Sequence, residues 1–248
     1  MSTNQKVALI TGAARRVGAE IAYTLHAAGM NVVLHYNHSQ AEAEQLAQQL
    51  NALRANSVLT LQADLTEAAL LENLIKAAAA EWGRLDVLVN NASRFYRTKI
   101  GEVTEATWQD LLDSNLKAPF FLCQAAANYL REHHGCIVNI TDVHAERPMQ
   151  DYPVYCIAKA GLVMLTQTLA KELAPSVRVN AVAPGTVALP EGENTLDAAT
   201  KEKILSRVSL QRHGTAQDVA KAVLFLVQDA EYVTGQTIVV DGGRSLSI

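Results

Sequence analysis

The chain has 248 residues, 49% of them hydrophobic, enough to bury one substantial core within a single α/β domain. Its formal net charge is −4 with no long basic run, which argues against nucleic acid as the main partner. Cys123, Cys136 and Cys156 are too scattered for a disulfide framework or a metal site, and neither a cleavable signal nor an apolar run of membrane-spanning length is read, so a cytoplasmic chain with no membrane partner and no metal is expected.

Val7–Ile10 reads as a short buried strand, and the turn Thr11-Gly12-Ala13-Ala14-Arg15-Arg16-Val17-Gly18 follows it at once. A helical pattern then runs to a stop at Gly29, and Asn31–Tyr36 reads as the next strand, completing a βαβ unit. A glycine-bearing turn between strand and helix is where a pyrophosphate rests on a helix N-terminus, so Gly12, Arg16, Val17 and Gly18 are candidate cofactor residues. The residues after the second strand are Asn37, His38 and Ser39, with no carboxylate before Glu42. Donors and a nearby cation, Arg16, without an acid suit a 2′-phosphate, so the cofactor is read as NADPH.

A surface helix from Ser39 follows, then a third strand, VLTLQADL, ending at Asp64 and Leu65, and a third helix capped by Thr66. The fourth strand ends in Asn90, Asn91, Ala92 and Ser93. Phe95 and Tyr96 lie on the loop beyond it, as either a lid onto the core or a stacking platform for a flat ligand. Arg94, Arg97 and Lys99 make that loop basic, as either a solvated face or a match for an acidic tail on a substrate. The helix from about Thr104 to Tyr129 carries Asn115 among apolar neighbours, where a mid-helix amide calls for a specific contact.

The stretch from Cys136 to Gly161 organises the chain. A buried strand (Ile137, Val138, Ile140) is followed by Asp142 at the edge where open α/β sheets bind ligands. Tyr155 and Lys159, four residues apart, share one helix face. A phenol, an ammonium and a carboxylate can converge there, and the ammonium is expected to lower the Tyr155 pKa from its ordinary value of about 10. Asp142 could equally cap a turn. A strand ending in Pro184 and Gly185, an irregular polar segment at about 186–205, a late helix and a final strand, QTIVVDGG, complete a doubly wound α/β domain. Its parallel sheet has about seven strands with helices on both faces.

Taken in order, T-G-x-x-x-R-x-G, Asn90-Asn91-Ala92, Asn115, Tyr155-x-x-x-Lys159, Pro184-Gly185 and Asp241-Gly242-Gly243 resemble the short-chain dehydrogenase/reductase family. The resemblance implies a single Rossmann domain. It implies Tyr155 as proton donor, Lys159 on the nicotinamide ribose and Asn115 supporting a proton relay. Asp64 and Leu65 would meet the adenine, and Pro184 and Gly185 would wall the nicotinamide. Members of the family are usually tetramers, with the central helix pair and the last strand at interfaces.

Two departures point further. The family usually carries glycine where this chain has Arg16, and serine where it has Asp142. A carboxylate repels a substrate carbonyl but welcomes an N–H, so the expected substrate shifts from a ketone to a nitrogen heterocycle. Both departures, with NNAS-x-F-Y and LHYNHSQAEAE, resemble the pteridine reductase branch. That branch implies Phe95 stacking a pterin, with Ser93, Arg16, Asp142 and Tyr155 also contacting substrate. Dihydrobiopterin, dihydromonapterin and dihydrofolate are the candidate substrates. A 3-oxoacyl-thioester reductase and a non-catalytic NADPH-binding regulator are the alternatives.

Overall fold

A computed structural model describes residues 5–187, 197, 202 and 205–247. Seven parallel strands form one sheet in the order β3-β2-β1-β4-β5-β6-β7, with β1 at Val7–Ile10, β2 at Asn31–Tyr36, β3 at Val58–Gln62, β4 at Val87–Asn90, β5 at Cys136–Ile140, β6 at Arg178–Pro184 and β7 at Thr237–Val240. The strand order reverses between β1 and β4, so their carboxyl ends diverge into a crevice. β1 and β5 are buried along their whole lengths, as expected for strands covered on both faces.

Alternation along the strands divides the core in two. Val7 and Leu9 of β1 face one side, with Leu71 and Ile75 of α3 (Ala68–Ala80) and Leu122 and Ala126 of α5 (Ala118–Glu132). Ala8 and Ile10 face the other, with Ile21 and Leu25 of α1 (Arg16–Ala27) and Val219 and Val223 of the late helix, which we label α7 (Ala216–Gln228). α1 stops at Gly29, whose φ of 94° lies in the left-handed region; the Met30 N–H returns to the Leu25 carbonyl in a Schellman-type closure.

Several expectations need correction. β3 ends at Gln62, and Asp64 and Leu65 lie beyond it. Thr66 does not cap α3, which has Glu67 at its N-cap; its N–H and hydroxyl turn back to Asp64 Oδ1 at 2.9 and 2.7 Å. The helix around Asn115 is not one regular element. α4 (Glu105–Leu112) passes through a π-turn, Asp113–Lys117, into α5, and Asn115 sits in that turn. α6 (Pro153–Glu172) is, by length and composition, apolar enough to cross a membrane, contrary to the sequence reading; half of that window is buried, against β6 and the π-turn. Of the irregular segment at about 186–205, residues 188–196, 198–201, 203 and 204 lie outside the described residues.

Candidate active site

The carboxyl ends of β1, β4, β5 and β6 open into a cavity of about 840 Å³. All the sequence-predicted site residues line it except Asn115. At one end it runs from the Gly12–Gly18 turn to Asn37, His38, Ser39, Asp64 and Leu65; at the other lie Ser93, Phe95, Asp142, Tyr155, Lys159, Pro184 and Gly185.

The glycine turn is shaped for backbone to approach a ligand. Gly12 has φ of 61°, and a Cβ there would stand 3.0 Å from Ala92 Cα. A Cβ on Gly18 would lie 2.2 Å from the Gly12 carbonyl and 2.6 Å from Asn91 Nδ2. Arg16 has φ of 55°, so the chain keeps the left-handed conformation that glycine adopts easily while presenting a guanidinium. For a side-chain-bearing residue that conformation costs roughly 1–2 kcal/mol.

Neighbouring strands brace the turn. Thr11 Oγ1 accepts the N–H groups of Asn91 and Ala92 at 2.9 and 3.0 Å, and Asn91 Nδ2 donates to the carbonyls of Thr11 and Gly12 at 2.9 and 3.2 Å. The Gly12 N–H donates to His35 Nδ1 at 3.1 Å, which leaves the proton on Nε2, 3.0 Å from the Ala63 carbonyl. Burial pushes the His35 pKa down to about 4, so this strut is neutral at physiological pH. Sequence reasoning missed Thr11 and His35; a histidine in an otherwise apolar strand was the available signal.

A glycine cradle that a Cβ would fill, N–H groups at a helix start and the polar run after β2 together fit a dinucleotide. Gly12, Arg16, Val17 and Gly18 would hold its pyrophosphate end. Asn37, His38 and Ser39 would meet the ribose substituent. Asp64 Oδ1 is occupied by Thr66, which holds the Asp64 pKa below the usual carboxylate value.

At the other end, Asp142 serves two partners. Its Oδ1 accepts the His144 N–H at 2.8 Å, capping the turn Val143–Ala145, and its Oδ2 accepts the Tyr155 hydroxyl at 2.8 Å. One carboxylate thus caps the turn and also meets the Tyr155 hydroxyl. The expected lowering of the Tyr155 pKa is reversed. Burial first, and the Asp142 charge second, hold it well above its ordinary value, so Tyr155 stays a phenol. The Lys159 ammonium does not bond that oxygen: Nζ donates to the Ile140 carbonyl at 2.9 Å and lies 5.7 Å from the Tyr155 ring centre. Burial brings the Lys159 pKa down to about 8.

Asn115 is fully buried behind this wall. Its Oδ1 accepts the Ser93 hydroxyl at 2.6 Å, and its Nδ2 donates to the carbonyls of Arg94 and Leu111, both at 3.0 Å. Its side chain therefore ties the Ser93–Arg94 loop to the π-turn. Phe95 stacks on Tyr152 with ring centres 4.6 Å apart and planes 11° apart, and meets Tyr155 edge-on at 4.9 Å. Tyr152 was missed, because its pairing with Phe95 joins two distant loops. The basic loop is not aimed at the cavity as a whole: Arg94 pairs with Asp110, and neither Arg97 nor Lys99 lines the cavity. Among the described residues no cluster of side chains could hold a metal ion.

A family model described as enoyl-(acyl carrier protein) reductase matches residues 12–245. The chain is 39% identical to pteridine reductase 1 of Leishmania tarentolae, over 99% of this chain and 98% of that protein. It is 37% identical to a 3-oxoacyl-[acyl-carrier-protein] reductase of Staphylococcus aureus, over 96% of this chain and 97% of that one. A 3-oxoacyl-[acyl-carrier-protein] reductase of Synechocystis is 39% identical, over 96% of each chain. With the seven-stranded parallel sheet and the cavity at its switch point, these matches make the chain an oxidoreductase of the short-chain dehydrogenase/reductase family, whose reductases of this kind use NAD(P)H.

Proposed function

We propose that the protein is an NADPH-dependent pteridine reductase, which reduces a C=N of a dihydropterin or of dihydrofolate to the tetrahydro form. The observation that carries this reading is the Tyr155–Asp142 hydrogen bond of 2.8 Å beside Phe95. A carboxylate facing the reacting atoms disfavours a ketone oxygen and suits the N–H groups of an amino-substituted heterocycle. Phe95 offers such a ring a flat apolar wall.

NADPH bound along the Gly12–Gly18 turn supplies the hydride. Tyr155 holds a proton between its own oxygen and Asp142 Oδ2, and the pair delivers it to the ring nitrogen as the C=N becomes CH–NH. Lys159, a cation below about pH 8, lies close enough to the ring to stabilise the phenolate left behind. Asn115 positions Ser93 against this pair. NADPH rather than NADH is favoured by Arg16 and by the absence of a carboxylate at Asn37, His38 and Ser39. A homotetramer is part of the proposal: Phe120, Phe121, Ile157 and Met164 leave an exposed apolar face on α5 and α6, and β7 is an open sheet edge.

The near-equal identity to 3-oxoacyl-thioester reductases supports a second reading, a reductase of that substrate class. The test follows NADPH absorbance with dihydrobiopterin, dihydromonapterin, dihydrofolate and a 3-oxoacyl thioester. Oxidation with a pterin and not the thioester is expected. Oxidation with the thioester alone overturns the pterin assignment, and NADPH binding with no turnover would make the protein a regulator. Asp142→Ser should cut pterin turnover by about 100-fold, the range of a lost acid–base group; unchanged turnover would remove Asp142 from the mechanism.

A further inference from the structure

Arg244 lies on the turn after β7, far in sequence from every residue the mechanism uses, yet it lines the same cavity as Asp142 and Tyr155. Its Nη1 bonds the Thr186 hydroxyl, while its Nε is buried with no hydrogen-bond partner among the described residues. The side chain is half-buried, and burial holds its pKa below the usual guanidinium value despite the nearby charges of Asp142 and Asp241. Neither carboxylate neutralises it directly. Asp142 is spent on Tyr155 and His144, and Asp241 accepts the N–H groups of Gly243 and Ser245. A partly desolvated guanidinium with unused donors beside the reacting centre is costly unless an oxygen-bearing ligand completes it.

We propose that Arg244, steadied by Thr186, is an anion subsite of the substrate end, binding a carboxylate on the substituent that the reduced ring carries. This rests on the pteridine-reductase reading and deepens it: the ring nitrogens fall to Asp142 and Tyr155, and the acidic tail to Arg244. Of the cations the sequence offered for such a tail, Arg94 is engaged with Asp110, and Arg97 and Lys99 do not line the cavity. Arg244 thereby sets a preference for acidic pterins of the folate kind over neutral ones such as dihydrobiopterin.

The test compares wild type, Arg244→Gln and Arg244→Lys in steady-state reduction of dihydrofolate and dihydrobiopterin, with melting temperature as a control for folding. Fluorescence titration of folic acid and biopterin onto the NADP⁺-saturated protein gives binding without turnover. Arg244→Gln should raise KM for dihydrofolate and Kd for folic acid about 10-fold or more, the range of a lost charge-assisted hydrogen bond. The constants for dihydrobiopterin and biopterin should stay within about 2-fold, and Arg244→Lys should fall between. An equal loss on both pterins, or no loss on dihydrofolate, overturns the subsite while leaving the pteridine reading intact. Failure of the wild-type protein to reduce either pterin, with turnover of the thioester, overturns that reading itself.

Discussion

The two ends of the cavity are built on opposite principles. At the glycine-turn end the polar groups are matched within the protein: Asn91 and His35 hold the Gly12 backbone at 3.2 and 3.1 Å, and the Thr11 hydroxyl oxygen accepts the Asn91 and Ala92 N–H groups. At the Asp142 end the groups are left under-matched, with Arg244 Nε unpartnered among the described residues, Tyr155 held as a phenol against a carboxylate and Lys159 brought down to about 8. A turn whose bonds are already made can receive a common cofactor without rearranging. A centre whose groups are strained away from their ordinary ionisation is where acid–base chemistry and substrate choice reside.

The contrast can be broken, and the largest effect should come from Tyr155→Phe. Losing the hydroxyl should lower kcat by about 10²–10⁴-fold, the range of a general acid, while NADPH binding measured by fluorescence stays near wild type. A comparable loss of NADPH affinity would mean that the two ends are not separable.

The next effect concerns stability at the matched end. His35 has a folded-state pKa of about 4 against 6.5 when free, so between those values the unfolded chain binds more protons. Its contribution is therefore complete above pH 6.5 and is lost as pH falls toward 4, by up to about 3 kcal/mol. Denaturant titrations across that window should show a shallower slope for His35→Gln, which cannot titrate; identical slopes would contradict a neutral strut.

Gly18→Ala tests the same end by steric means. Its Cβ would meet the Gly12 carbonyl, which is backbone and cannot swing away, so a cost of about 1–3 kcal/mol is expected. A KM for NADPH raised at least about 10-fold, with little change in the pterin KM, would sharpen the division. The smallest effect should be that of Tyr152→Ala, which removes the ring behind Phe95. An aromatic pair of this kind contributes about 0.5–1.5 kcal/mol, so the pterin KM should rise about 2- to 10-fold. Tyr152→Phe should restore it, because the stacking and not the hydroxyl is at stake.

Much of the scaffold was legible in the residues. Short apolar runs bounded by turns marked β1 and β2 at their observed limits, because strands covered on both faces carry few polar residues. The sequence expectation that Asp142 lies just past β5, and that Tyr155 and Lys159 share a helix face, followed from periodicity and matches the structure. The π-turn at Asn115 was not legible, since one widened turn leaves the apolar pattern of the flanking helices intact. His35 and Arg244 escaped notice because their roles depend on crossings between distant segments: β2 against the glycine turn, and the turn after β7 against the residues that follow β6.

The sequence by itself determined the order of strands and helices, the glycine turn that opens α1 and the pairing of Tyr155 with Lys159, because these depend on spacing along one chain. Only the tertiary structure decided the protonation of that pair and which cations remain available. Spacing suggested that Lys159 would lower the Tyr155 pKa; burial and the Asp142 carboxylate instead raise it and keep the phenol neutral. The sequence offered Arg94, Arg97 and Lys99 as charges for a substrate; folding pairs Arg94 with Asp110 and keeps Arg97 and Lys99 off the cavity, while Arg244 is left half-buried beside the site. Ionisation and charge pairing follow the atoms surrounding a group in three dimensions, and a linear pattern carries no measure of that surrounding.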